Sequence, residues 1–138
     1  MLFPTLTPFR DKQWPSTLNS DWGDNRDYYY LEVFMQIYVI NPTLKTVSAI
    51  DIPGSLDDVR GLIGFASIDS DEIDNNGDRL FFDEECFIRQ QDGVGRFKVD
   101  NLAPVAGIGV IANSRDEAKS IQAPEVTLQD LTKRITFL

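Results

Sequence analysis

The stretch DSDEIDNNGDRLFFDEE, residues 69–85, gives the strongest local structural signal in the chain. Its centre, Asn75-Asn76-Gly77-Asp78, has the residue types that a tight hairpin turn requires, and apolar side chains lie on both sides. We therefore predict an exposed β-hairpin, here called the acidic hairpin, that projects from the domain. It holds eight carboxylates and one arginine, and so carries seven of the nine net negative charges of the chain.

The segment before the acidic hairpin predicts a second hairpin. Between residues 28 and 40, one face of an extended chain is apolar and the other is partly apolar, which is typical of a central strand. Asn41-Pro42-Thr43 predicts a turn. Residues 44–52 alternate again, so we expect them to pair with the preceding strand.

Two short helices are predicted from their N-terminal caps. The first covers residues 55–63, where Ser55 and Asp58 occupy the positions of a capping box. The second covers residues 127–134 and begins at Thr127, which is also followed three positions later by an aspartate. Apolar side chains recur on one side of each segment, so both helices are expected to pack on a sheet.

The remaining segments predict further strands. Short strands are expected at 96–99 and 135–137, and residues 104–111 are small or β-branched, which predicts one strand buried on both faces. The glycines in that strand permit close approach of a neighbouring element. Residues 113–123 form a polar connection with one helical turn at 115–120. The expected fold class is α+β, a mainly antiparallel sheet with two short helices packed on it.

The length of 138 residues suits one domain with its own hydrophobic core. Residues 1–34 combine prolines with large aromatic side chains, which predicts an N-terminal arm whose aromatics either pack along the body or meet a partner. Residues 35–138 form the single α+β domain. No apolar run approaches the roughly 20 residues that a bilayer requires, and no secretion signal is recognisable. We expect a cytoplasmic protein without a membrane partner.

Missing residue types narrow the possible functions. The chain contains no histidine, which excludes His-dependent nucleophilic catalysis and removes the commonest metal ligand. Its one cysteine, Cys86, follows two glutamates that disfavour a reactive thiolate, so it predicts a packing residue. The net charge of −9 disfavours nucleic acid and anionic membranes as partners. We expect no enzyme, no catalytic residue and no cofactor.

Two segments match known binding motifs, but the residues around them do not predict the secondary structure that each motif requires. Aligning Gly77 with the invariant glycine of a calcium loop places five oxygen-bearing residues at ligand positions, but the flanks predict strands where that loop needs helices. The five residues are Glu72, Asp74, Asn76, Asp78 and Asp83. Residues 107–112 match the dinucleotide fingerprint, but the β-branched run continues past the second glycine, so no helix follows. We predict neither a metal site nor a dinucleotide site.

Four segments occur in a recognisable order after residue 34. They are MQIYVINP at 35–42, NGDRLFFDEE at 76–85, LAPVAGIGV at 102–110, and 127–137, which ends on Ile135-Thr136-Phe137. In this order and spacing, residues 35–138 resemble a family of small uncharacterised proteins from phages, prophages and proteobacterial genomes. The resemblance implies a compact α+β domain and an association with mobile elements. It brings no established activity and no catalytic residues.

The chain departs from that family at two points. Cys86 stands where many members have glycine, so the turn after the acidic run is expected to differ. The family also tends to begin near Met35. Residues 1–34 are therefore an extra arm, or residues translated only from an upstream start.

The first function that is compatible with the sequence is that of a non-enzymatic interaction protein. It would bind a protein partner with a basic surface through the acidic hairpin, although solubility alone is a simpler explanation of the charge. The oligomeric state is left open. The candidate contact residues are Asp69, Asp71, Glu72, Asp74, Asp78, Asp83, Glu84 and Glu85.

The alternative is a small-molecule or nucleotide-binding module. It would use a cleft beside the glycine-bearing strand at 104–111, where the backbone can approach a ligand closely. The candidate ligand residues are Arg96, Lys98, Gly107, Gly109 and Arg115.

Overall fold

Five antiparallel strands form the central layer of the fold, and two helices and a smaller sheet cover it. The computed structural model describes residues 34–89 and 93–138, and Phe34–Leu138 form one compact unit. The elements in chain order are β1 (Met35–Asn41), β2 (Thr46–Ile52), α1 (Leu56–Ile63), β3 (Ile68–Glu72), β4 (Asp78–Asp83), β5 (Arg96–Val99), β6 (Val105–Ala106), β7 (Gly109–Asn113), α2 (Leu128–Arg134) and β8 (Ile135–Phe137).

The strands divide between two sheets. The larger has the order β2-β1-β7-β4-β3, and the smaller has the order β6-β5-β8. Each predicted hairpin is present, since β1 pairs with β2 and β3 pairs with β4. β7 lies between these hairpins, with Ile111 opposite Tyr38 on one side and opposite Leu80 on the other. Every pairing among the described strands is antiparallel, which confirms the predicted fold class.

The larger sheet is buried on both faces. On one face, Val59 and Ile63 of α1 pack in a cluster with Ile37, Phe81 and Val110. The other face carries the smaller sheet and α2, in a second cluster formed by Tyr38, Ile40, Leu80, Phe97, Val99, Val105, Ile111 and Leu131. All five residues of β7 are buried, as expected for a strand with neighbours on both sides and layers above and below.

Both helices begin at the predicted caps. The Ser55 hydroxyl accepts from the Asp58 backbone N–H at 3.1 Å, and the Asp58 carboxylate accepts from the Ser55 backbone N–H at 2.9 Å. This closed capping box starts α1, and Gly64 ends it in the left-handed conformation. The Thr127 hydroxyl accepts from the Asp130 N–H at 3.1 Å and caps the start of α2.

Residues 104–111 do not form the single strand that their composition predicts. β6 belongs to the smaller sheet and β7 to the larger, and Gly107, with a φ of +89°, turns the chain between them. The predicted close approach is confirmed at Gly109, where an added Cβ would lie 2.5 Å from the Phe97 ring.

The expected helical turn at 115–120 is also absent from the described structure. A loop takes its place. The Asp116 carboxylate organises this loop, because it accepts from the Ser120 hydroxyl at 2.6 Å and from the Ser120 backbone N–H at 3.0 Å. These bonds, led by the hydroxyl, lower the pKa of Asp116 to about 2.

Three expectations lie outside the described residues. They are the N-terminal arm up to residue 33, the start of the first strand at 28–33, and the opening of the turn at 90–92. Neither helix within 34–89 and 93–138 has the length and apolar character needed to span a bilayer.

Candidate functional site

The acidic hairpin is an integral part of the larger sheet and does not project from it. β4 lies inside the sheet between β3 and β7, and only β3 lies at the edge. Asp78 and Asp83, at the two ends of β4, are 0% and 3% exposed. The prediction that these two carboxylates are exposed for partner contact is therefore wrong. β7 and the segment before α2 contact Asp78, and the turn after β4 contacts Asp83.

The Asp78 carboxylate holds the chain segment before α2 against the end of the sheet. It accepts hydrogen bonds from the backbone N–H groups of Glu125 at 2.8 Å and Val126 at 2.9 Å, and from the Asn113 side-chain amide at 2.9 Å. The Tyr38 hydroxyl donates to the Val126 carbonyl at 2.8 Å. Burial, together with the nearby charge of Asp78, raises the pKa of Tyr38.

The Asp83 carboxylate fixes the turn that follows β4. The Arg89 guanidinium donates to it at 2.6 Å and lies over the Phe65 ring at 3.8 Å. Asp83 also accepts from the Glu85 backbone N–H at 3.1 Å. The hydrogen bond to Asp83 is the main cause of a raised Arg89 pKa. Asp83 therefore has a structural role that its position in an acidic run did not indicate.

Three further carboxylates of the acidic hairpin are in ion pairs. Asp74 binds the Arg134 guanidinium through both oxygens at 3.0 Å. Glu72 pairs with Arg79 at 3.4 Å, and Glu85 pairs with Arg89 at 3.4 Å. Since Asp74 and Asp78 are directed to different partners, the oxygens of the calcium-loop alignment do not converge.

Part of the negative charge that has no ion pair among the described residues lies on the edge strand β3 and on the turn after β4. Asp69, Asp71 and Glu84 take part in no ion pair among the residues that the structure describes. Glu72 lies on the same strand and is exposed in spite of its contact with Arg79. We call these four carboxylates, Asp69, Asp71, Glu72 and Glu84, the acidic edge.

At Ser70, in the middle of β3, the backbone groups that face away from the sheet are hydrogen-bonded to side chains. In the ladder between β3 and β4, the N–H and C=O groups of Ser70 point outward, away from β4. The Asp69 carboxylate accepts from the Ser70 N–H at 2.8 Å, and Arg79 donates to the Ser70 carbonyl at 3.3 Å. These contacts oppose the addition of another strand at this point.

A shallow cleft of about 130 Å³ borders the acidic edge between α1 and β3. Leu56 and Ile68 supply apolar surface, and Asp69 and Ser70 also line it. Arg60 lines the cleft as well, but its charge is paired with Asp57. An alkyl side chain that carries a cation fits this combination, because its stem can lie on the apolar wall while its charge meets a carboxylate.

A second cleft, of about 100 Å³, lies at the corner where the chain passes from one sheet to the other. We call it the corner cleft. Its walls come from four chain segments and include Phe65, Cys86, Phe87, Val94, Arg96 and Gly107.

The corner cleft brings together part of the alternative ligand set. Arg96 and Gly107 line it, as predicted, but Lys98, Gly109 and Arg115 do not. Gly109 is buried beneath the Phe97 ring, and Arg115 forms an ion pair with Glu125. This cleft is smaller than the roughly 300 to 1,000 Å³ that is typical of pockets for drug-sized ligands.

Sequence reasoning missed the aromatic walls of the corner cleft. Neither Phe65 nor Phe87 is among the residues that the sequence analysis singles out. The available signal was Phe87-Ile88, two large apolar residues directly after a run of acids. They are 50% and 75% exposed on the turn after β4. Cys86 packs against the second apolar cluster, in agreement with its predicted packing role.

Comparison of the chain with protein-family models, with curated proteins and with solved structures finds no match.

Proposed function

We propose that this chain is a non-enzymatic interaction protein that binds a basic protein partner through the acidic edge. The carrying observation is that Asp69, Asp71 and Glu84 have no ion pair among the described residues, whereas four other acids of the hairpin do. Charges that internal arginines do not compensate remain available to an external cation. Such charges also accelerate association with a basic partner.

The proposed contact is made by side chains. The capping of Ser70 disfavours strand addition, while the cleft beside Asp69 can take the stem of a partner lysine or arginine. The resemblance of residues 35–138 to proteins of mobile elements supports a cytoplasmic host protein as the partner. A nuclease or a DNA-binding factor has the required basic surface.

A pull-down with matched charge variants tests this proposal. The edge variant carries Asp69→Asn, Asp71→Asn and Glu84→Gln, which keep the hydrogen-bond acceptors that Ser67 and Ser70 use. The control variant removes the same charge at three exposed acids elsewhere, Asp51→Asn, Glu117→Gln and Asp130→Asn.

We expect the unmodified chain and the control variant to capture the same protein from host lysate at low salt, and the edge variant to lose it. Capture should weaken as salt approaches about 0.3 M, where charges are screened within a few ångströms. Equal capture by the edge and control variants would contradict the proposal.

A second candidate function is small-molecule binding in the corner cleft. The observation that favours it is the presence of Arg96 and Gly107 together on the walls of one cleft. The volume of that cleft favours a ligand smaller than a nucleotide.

A further inference from the structure

Arg96 differs from the other arginines that the structure describes. It takes part in no ion pair within residues 34–89 and 93–138, although the chain has a large excess of acids. Each of the other described arginines contacts at least one carboxylate; these are Arg60, Arg79, Arg89, Arg115 and Arg134.

The Arg96 guanidinium stands at an aromatic wall of the corner cleft. It lies over the Phe87 ring, with 5.4 Å between the guanidinium carbon and the ring centroid. Phe65, Val94 and Ile108 supply further apolar surface. The guanidinium is therefore positioned where a ligand with an apolar body could present an anionic group to it.

Among the described residues, Asp83 is the one carboxylate on the walls of the cleft, and it does not offset this cation. Asp83 lines the cleft, but its oxygens accept from Arg89 at 2.6 and 3.3 Å. The ion pair of Asp83 with Arg89 is internally neutral. The charge left facing the cleft among its described residues is that of Arg96.

We propose that the corner cleft binds a small organic carboxylate with a compact apolar body, such as an arylacetate. The carboxylate would accept two parallel hydrogen bonds from the N–H groups of Arg96, the bidentate geometry that guanidinium groups favour. The ring would lie against the apolar surface that Val94 and Ile108 contribute to the cleft, in a volume that suits a group the size of one side chain. This inference rests on the second candidate function and is independent of the acidic edge.

The single cysteine of the chain provides a direct reporter. Cys86 lines the corner cleft, so a bound ligand shields its thiol. The test follows alkylation of the full chain by iodoacetamide, using mass spectrometry, at increasing concentrations of phenylacetate. Phenylacetamide serves as the neutral analogue of the same shape, and inorganic phosphate serves as an anion without an apolar body.

We expect phenylacetate to slow the alkylation of Cys86 in a saturable manner. Phenylacetamide should need about tenfold more ligand for the same effect, because a charge-assisted hydrogen bond is lost. Phosphate should give no protection. Equal protection by phenylacetate and phenylacetamide would overturn the carboxylate assignment while leaving small-molecule binding in place. No protection by either compound would overturn both.

Two variants on the same strand locate the contact. Arg96→Gln removes the charge from the cleft, whereas Lys98→Gln removes a charge from the same face of β5 without altering the cleft. Arg96→Gln should raise the phenylacetate concentration needed for protection by about tenfold or more, and Lys98→Gln should leave it unchanged. Undiminished protection in Arg96→Gln would overturn the proposal. Amide chemical shifts of the ligand-free variants verify that both remain folded.

Discussion

The Asp78 carboxylate accepts hydrogen bonds from residues that lie far along the chain. Asn113 is separated from it by 35 positions, Glu125 by 47 and Val126 by 48. The carboxylate therefore joins three parts of the chain at one end of the larger sheet. A charged group with this burial is stable only while its donors remain in place.

We expect Asp78→Ala to lower the free energy of unfolding by about 3 kcal/mol, because one buried donor and two partly buried donors lose their acceptor. Urea denaturation measures this change. Asp71→Ala, in the partner strand of the same hairpin, is the control and should stay within about 0.5 kcal/mol of the unmodified chain. A loss below about 1 kcal/mol for Asp78→Ala would show that water replaces the carboxylate at little cost.

Residue roles that depend on nearby sequence could be predicted, and those that depend on distant sequence could not. Ser55 and Thr127 cap their helices through groups three positions away, and both roles were predicted. Asp78 and Asp83 look like surface acids in the sequence. Asp78 is covered by β7 and by residues 125–126, and Asp83 is covered by Arg89; no local pattern specifies these contacts.

At the scale of elements, the surroundings of two glycines predict opposite changes in stability when alanine replaces each of them. Gly109 in β7 has the Phe97 ring 2.5 Å and Leu80 3.0 Å from the position of an added Cβ. Gly61, in α1, is exposed and has no such neighbour within 4 Å.

We expect Gly109→Ala to destabilise the protein by about 1 to 3 kcal/mol through overpacking of the second apolar cluster. Gly61→Ala should stabilise it by about 0.5 to 1 kcal/mol, because alanine favours the helix. Thermal unfolding followed by circular dichroism compares the two. Equal shifts in the same direction would contradict the packing described around Gly109.

Elements with local signals were predicted well. Both hairpins and both helices follow from turn residues, alternation and caps. The split of 104–111 was not predicted, because a run of small and β-branched residues has the same appearance whether it enters one sheet or two. The corner cleft forms at that split, so its aromatic walls were missed together with it.

At the scale of the whole molecule, Arg134 connects α2 with both sheets through ion pairs. From the end of α2 it binds Asp74 in the turn of the acidic hairpin at 3.0 Å. It also binds Asp100, which follows β5 of the smaller sheet, at 2.6 Å. The hydrogen bonds to Asp100, and then those to Asp74, raise the pKa of Arg134 above its already high value.

We expect Arg134→Lys to lower the free energy of unfolding by about 1 to 2 kcal/mol, because an ammonium group cannot reproduce the fork that reaches both carboxylates. A double-mutant cycle with Asp74→Asn, measured by urea denaturation, should give a coupling energy above about 0.5 kcal/mol. Additive effects would show that Arg134 does not link the hairpin turn to α2.

The position of β7 has a consequence for how the protein forms on the ribosome. The hairpins β1–β2 and β3–β4 are complete once residue 83 has emerged, but β7, which joins them, begins at residue 109. At about 5 to 20 residues per second, the inner edges of β1 and β4 wait a few seconds without a partner. β1 and β4 carry apolar side chains that are buried on both faces of the finished sheet, so this interval exposes the nascent chain to aggregation and to chaperones. The interval ends when the five residues of β7 pair with both strands.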